Sequence, residues 1–171
     1  AYRDRMLKYL EALDADGKFP HCIWPPHCLI GSWGTAVEDT LFEALVRWEQ
    51  EQVGSINYVT KGSSILTEHF GGLMAQVPAP NDPSTQLNAD LIRVLKDADM
   101  VAVAGEALSH CVKTTVEQVA ANIGDEHVKK FVLLTDCMSP VPQAPGTPDF
   151  PKIGRQFLDD MRSRGMTLMA S

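Results

Sequence analysis

The 171 residues contain no apolar run long enough to cross a membrane. A spanning helix takes about 20 such residues, and the runs here are strand-sized. The four cysteines, Cys22, Cys28, Cys111 and Cys137, form no CxxC pair, which leaves reduced thiols in a cytoplasmic protein as the simplest reading. Positive charge is the scarcer sign. Fifteen Lys and Arg stand against 22 Asp and Glu, for a formal net charge of −7, so nucleic acid is excluded as an expected partner, as a membrane is by hydropathy. Aromatic residues are few, at 7%, but 44% of the chain is hydrophobic and 22% charged, an ordinary globular composition that excludes disorder and fibrous repeats. An initiator methionine is missing too: Ala1-Tyr-Arg-Asp-Arg-Met is already inside a helical pattern, so an upstream segment is expected. The length suits a single domain over 1–171.

What the sequence does have is one stretch around which the rest is organised. Met100 to Ala104 is short, apolar and Val-rich, as a strand buried in a parallel sheet would be; Gly105 breaks it; and from Cys111 onward Val112, Val116, Val119 and Ala120 recur at helical spacing. Cys111 thus stands near a helix N-terminus, where unpaired amides and the positive end of the helix dipole favour a thiolate.

Upstream, Met6, Leu7, Tyr9, Leu10 and Leu13 predict a helix over Tyr2 to Leu13, and Val37, Leu41, Leu45 and Trp48 a second over 37–50. Between them lies His21-Cys-Ile-Trp-Pro-Pro-His-Cys-Leu-Ile-Gly, a loop made rigid by its prolines. Ile56 to Thr60 alternates like a strand ending at Lys61. Residues 63–77 read as an irregular loop bordering a cleft, and Leu87 to Leu95 as a third helix. Lys129 to Asp136 predicts another strand, Gly154 to Arg164 a last helix and Met166 to Met169 a last strand. Helix and strand alternating in this way give a three-layer α/β/α, Rossmann-like fold with a mostly parallel sheet. Ligands in such folds bind beyond the carboxyl ends of strands, where Lys61, the Gly105 to Cys111 turn and Asp136 are expected to fall.

Several side chains in this pattern suit covalent chemistry. Cys111 could attack a carbonyl carbon, with amides of the Gly105 to Cys111 turn as an oxyanion hole. A cysteine taken alone is more often structural, but its place between strand and helix reverses that preference. Lys61 could hold the thiolate or carry a proton, although a lone lysine is usually a surface group. His21 and His27 offer imidazoles in a rigid loop, which suit zinc or iron; two histidines do not complete a metal site. His110 is adjacent to Cys111 and points elsewhere on a helix, so it is expected to wall the pocket, and Trp24 and Phe70 could stack on a planar substrate. Cys22, Cys28 and Cys137 have no such context and are expected to be structural.

Four segments, in order, give the chain a resemblance to a known family: Trp24-Pro-Pro-His-Cys-Leu-Ile-Gly, Tyr58-Val-Thr-Lys-Gly, Ala104-Gly-Glu-Ala-Leu-Ser-His-Cys-Val and Leu134-Thr-Asp. Together they cover most of Trp24 to Ser139, and the chain resembles the isochorismatase-like cysteine hydrolases, within them the nicotinamidase branch. The resemblance implies that Cys111 is the nucleophile and Lys61 its partner in a Cys-Lys-Asp triad. It also implies a cis peptide between Glu106 and Ala107, an oxyanion hole from the amides of Ala107 and Cys111, an aromatic pocket wall at Trp24 and a metal-binding histidine at His27. A divalent metal (zinc, iron or manganese) follows from it, as do a small-molecule amide substrate, a place in NAD salvage and a homo-oligomer; a nucleotide cofactor does not. The family's strand-ending Asp and its Asp-x-His metal pair are missing before Trp24, since Asp14 and Asp16 lie in a helix-ending turn. An N-terminal strand of the fold is therefore expected to be absent from these 171 residues. The implied reaction is hydrolysis of an amide such as nicotinamide through a thioester on Cys111. A related hydrolase acting on a carbamoyl or vinyl-ether substrate, or an inactive interaction module, is the alternative.

Overall fold

A computed structural model describes residues 2–17 and 22–171. They form two compact units, residues 3–59 and 60–171.

The first unit holds two helices. In α1 (Tyr2–Asp16) most of the expected stripe is turned inward: Tyr9 and Leu13 are buried and Met6 and Leu10 half-buried, while Leu7 is exposed. Helix α2 (Asp39–Gln52) starts where the Glu38 carboxylate accepts from the Leu41 amide at 3.1 Å, satisfying one of the donors a helix start leaves open. Between the two helices, residues 22–38 are exposed except for the half-buried Val37, and their only regular structure is a single 3-10 turn at Trp33–Thr35.

The expected strand at Ile56–Thr60 is not formed; residues 54–64 are irregular, and Tyr58 and Val59 are exposed. A five-residue alternating run encodes only a local preference. A strand also needs a neighbour to share its hydrogen-bond ladder, and none pairs with it among the described residues.

In the second unit, α3 (Ala89–Asp97), capped by the Asn88 side chain accepting from Leu91 N at 2.9 Å, leads into β1 (Val101–Glu106). A turn and helices α4 (Lys113–Asn122) and α5 (Asp125–Val128) return the chain to β2 (Phe131–Ser139), and α6 (Phe150–Ser163) returns it to β3 (Thr167–Met169). The strands lie in the order β1-β2-β3, both pairs parallel, with Val103 opposite Leu133 and Leu133 opposite Leu168. This is the α/β class with a parallel sheet that the alternating pattern predicts, with three strands rather than four. Phe131 and Leu133 are fully buried in one cluster with Ile92 of α3, Val116 and Val119 of α4, and Phe157 and Met161 of α6. Each such side chain contributes about 1.5–3 kcal/mol of hydrophobic stabilisation. Among the described residues no helix is long and apolar enough to cross a membrane.

One irregularity shapes the carboxyl end of the sheet. The pairing of β1 with β2 jumps from Val103↔Leu133 to Gly105↔Met138, so residues 134–137 bulge out of that ladder. Gly105 sits at φ +149, a conformation that side-chain-bearing residues rarely adopt, and it redirects the chain into the turn that follows.

Candidate active site

The turn after β1 is a single π-helical turn, Leu108–Val112, and Cys111 lies in it, half-buried, two residues before α4 begins. The Ala107 carbonyl anchors the turn by accepting from His110 N at 2.9 Å and Val112 N at 3.2 Å. Such five-residue reaches are rare and often sit at functional sites. Ala107 itself is left-handed, φ 62 and ψ 70. The cis peptide expected between Glu106 and Ala107 is not present: no cis bond occurs among the described residues. The chain reverses instead through two consecutive special dihedral positions, Gly105 and Ala107. The left-handed alanine costs about 1–2 kcal/mol.

Lys61 arrives from an irregular segment rather than a strand end, and it nevertheless meets the thiol. Its Nζ donates to the His69 carbonyl at 2.9 Å and reaches Cys111 Sγ at 3.5 Å. Among the described residues no carboxylate pairs with Lys61, and its nitrogen bonds a backbone carbonyl instead.

The loop carrying that carbonyl is irregular, as expected, and densely bonded. His69 is buried; its Nε2 donates to the Ser84 carbonyl at 3.1 Å. Gln76 N donates to Glu68 O at 2.8 Å, and Thr67 Oγ1 to Val77 O at 2.8 Å. Two side chains of α4 then tie the loop to the helix that follows Cys111. Thr115 Oγ1 accepts from Gly72 N at 2.9 Å, and Gln118 accepts from Leu73 N at 3.2 Å while donating to Met74 O at 3.0 Å. The loop lies so close to α4 that a Cβ on Gly71 would collide with the Gln118 carboxamide.

His110 is half-buried with its ring edge-on to Phe150 at 4.6 Å. The fully buried Ser109 hydroxyl shares a hydrogen bond with His110 Nδ1 at 2.9 Å and accepts from Val141 N at 3.1 Å. Burial, and secondarily the Lys113 charge, hold the imidazole below its ordinary pKa.

Phe70 is half-buried in the His69 loop. Asp136 is exposed and accepts from Ser171 N and Oγ, which hold its carboxyl below the usual range. Cys22, Cys28 and Cys137 are free and exposed, so none is a core thiol. Trp24 and His27 belong to residues 3–59, and both are exposed.

His27 Nδ1 is engaged with the Pro25 carbonyl at 2.6 Å, and among the described residues no three His, Cys, Asp or Glu side chains come together as a metal site. His21, the other imidazole considered, lies outside the described residues. The donor set in hand does not fit a metal ion, and no chemical step is routed through one.

Sequence reading missed the His69 carbonyl, Thr115 and Gln118. A backbone oxygen leaves no sequence signature. Thr115, one helical turn beyond Cys111, could have been suspected, because threonine commonly bonds back to the carbonyl four residues earlier.

No protein-family model matches the chain, and no curated protein matches it in sequence. Solved structures do. The yeast nicotinamidase Pnc1p bound to the inhibitor nicotinaldehyde superposes with a TM-score of 0.60 at 20% identity, over 88% of this chain and 60% of that one. The fold is that of solved nicotinamidases. PnC1 from L. infantum in complex with nicotinate gives a TM-score of 0.56 at 24% identity, over 86% of this chain and 61% of its own. The pyrazinamidase of Pyrococcus horikoshii in complex with zinc gives 0.51 at 17%, over 99% of this chain and 87% of its own. At these identities the likeness to nicotinamidases is one of fold, and the chain spans about 60% of the length of the first two.

Proposed function

We propose that the chain carries the catalytic core of a cysteine-dependent amidohydrolase of nicotinamidase type, which converts a small amide such as nicotinamide to the acid and ammonia. The observation that carries this reading is Lys61 Nζ at 3.5 Å from Cys111 Sγ, in a turn just before a helix. A nucleophile and a proton carrier within reach of each other are the minimum for acyl transfer.

In the proposed reaction the Cys111 sulfur attacks the amide carbonyl carbon. A C–S bond forms, and the carbonyl electron pair moves onto oxygen, where the amides of Ala107 and Cys111 meet the developing charge. Lys61 takes the thiol proton and passes it to the departing nitrogen, so the C–N bond breaks, ammonia leaves and a thioester remains. Water then adds to the thioester carbon and yields its proton to Lys61. The C–S bond breaks, the sulfur recovers a proton and the acid departs. Phe70 and His110 would wall the acyl group. Two neighbours of the same fold hold pyridine-ring ligands, nicotinaldehyde and nicotinate, and nicotinate is the acid that nicotinamide hydrolysis would release. In the same reading the protein works in the cytoplasm as a homo-oligomer.

The second reading, an inactive interaction module, draws on the absence of a carboxylate partner for Lys61 among the described residues. Ammonia release from nicotinamide, pyrazinamide and a carbamoyl compound separates the two. Steady release from a primary amide, abolished in Cys111→Ala, supports the hydrolase; release from the carbamoyl compound alone moves the substrate class; no release from any of them favours the module.

A further inference from the structure

The hydrogen bonds around Cys111 close on themselves. Lys61 Nζ touches the Cys111 sulfur and donates to the His69 carbonyl. Three residues beyond His69, the Gly72 amide donates to Thr115 Oγ1 at 2.9 Å. The same hydroxyl donates to the Cys111 carbonyl at 2.6 Å. One hydroxyl thus uses its proton on the residue that bears the nucleophile and a lone pair on the loop that holds the lysine.

We infer that Thr115 is a positioning residue: by bridging the Cys111 carbonyl and the Gly72 amide, it fixes Lys61 at its distance from the Cys111 sulfur. A lysine side chain has four rotatable bonds and finds a single position only through what its nitrogen bonds to. Here that partner is a carbonyl on an irregular loop, so the position of Lys61 is as good as the attachment of the loop. Gln118 also ties the loop to α4, but at Leu73 and Met74, farther along the chain from His69. His69 is itself bonded through its ring to the Ser84 carbonyl; of the two bridges from the loop to α4, Thr115 makes the one nearer His69 in sequence, and of these two it is the one that also bonds the Cys111 carbonyl. This inference rests on the hydrolase reading for its kinetic consequence and stands without it for its geometric one.

The test is Thr115→Val, which keeps the volume and removes the hydroxyl, with Thr115→Ser as the conservative rescue. Two quantities are read on each protein: kcat and KM for ammonia release, and the rate at which iodoacetamide labels Cys111 at neutral pH, resolved from Cys22, Cys28 and Cys137 by peptide mass. Misplacing a catalytic group by about 1 Å can cost about 100-fold. The expected result is therefore a kcat roughly 10- to 100-fold lower in Thr115→Val with KM within about twofold, slower labelling of Cys111 alone, and both restored by Thr115→Ser. Wild-type kcat and labelling in Thr115→Val would overturn the inference, as would losses that Thr115→Ser does not restore. Should Thr115→Val fail to fold, Thr115→Ala removes the same hydroxyl and carries the same readouts. If the wild type releases no ammonia, the hydrolase reading has failed and the labelling rates alone decide the positioning role.

Discussion

The side-chain nitrogen of Lys61 lies 3.5 Å from the sulfur of Cys111 although 50 residues separate them in sequence. The lysine's other bond, 2.9 Å long, goes to the His69 carbonyl. The Cys111 thiol and the Lys61 amine are therefore held together by a loop and its attachments to α4, with no strand beneath the lysine.

Gly71 and Gly72 are neighbours with opposite tolerance. A Cβ on Gly71 would run into the Gln118 carboxamide, which is pinned by its bonds to Leu73 and Met74, whereas a Cβ on Gly72 would meet Thr115 at an ordinary 3.7 Å. Gly71→Ala should cost about 1–3 kcal/mol, the range for strained packing or a buried polar group left unpaired, and should lower ammonia release by loosening the His69 carbonyl. Gly72→Ala should unfold in urea within about 0.5 kcal/mol of wild type, as substitutions away from such features do. Equal stability of the two variants would contradict the close approach.

Ala107 is held left-handed at φ 62. A β-branched side chain is strained there beyond what alanine suffers, so Ala107→Val should lose about 1–2 kcal/mol in chemical denaturation. In Ala107→Gly the relief of strain and the added freedom of the unfolded chain nearly cancel, leaving stability within about 1 kcal/mol of wild type. A valine variant as stable as the glycine variant would contradict the left-handed turn.

His110 has a pKa below the ordinary 6.5, chiefly through burial and then through Lys113. The unfolded chain therefore binds the proton more readily than the folded one. The stability this group contributes is present above about 6.5 and is lost as pH falls through the lower folded value. The melting temperature of wild type should fall more steeply than that of His110→Gln as pH is lowered from 7 toward 5. Parallel curves would show that His110 is not held neutral by the fold.

The sequence made some of this architecture legible and hid the rest for identifiable reasons. Apolar spacing located α1, α2, α3 and α6, because a helix announces itself within its own residues: Tyr9 with Leu13 and Phe157 with Met161 are four apart and buried together. The runs leading to β1 and β2 were equally plain. Ile56 to Thr60 misled because alternation shows only that a segment could pair, and pairing is decided by what lies beside it. The reversal after β1 was expected from a cis bond at Glu106, and it comes from the positive φ of Gly105 and Ala107, a choice between two backbone solutions that side-chain identities barely distinguish. Cys111 and Lys61 were recognisable by residue type and motif. The His69 carbonyl that holds the lysine was not, because any residue supplies a carbonyl and only the folded loop says which one is used.

The central claim is that Cys111 and Lys61 act together on an amide, and the most direct measurement is ammonia release from nicotinamide by wild type, Cys111→Ala and Lys61→Met at matched concentration, with folding of each variant verified by circular dichroism. The account predicts release by wild type, none by Cys111→Ala, and a rate about 100- to 10,000-fold lower for Lys61→Met, the range for losing a general acid–base group. Lys61→Met as fast as wild type, or Cys111→Ala still releasing ammonia, would contradict it.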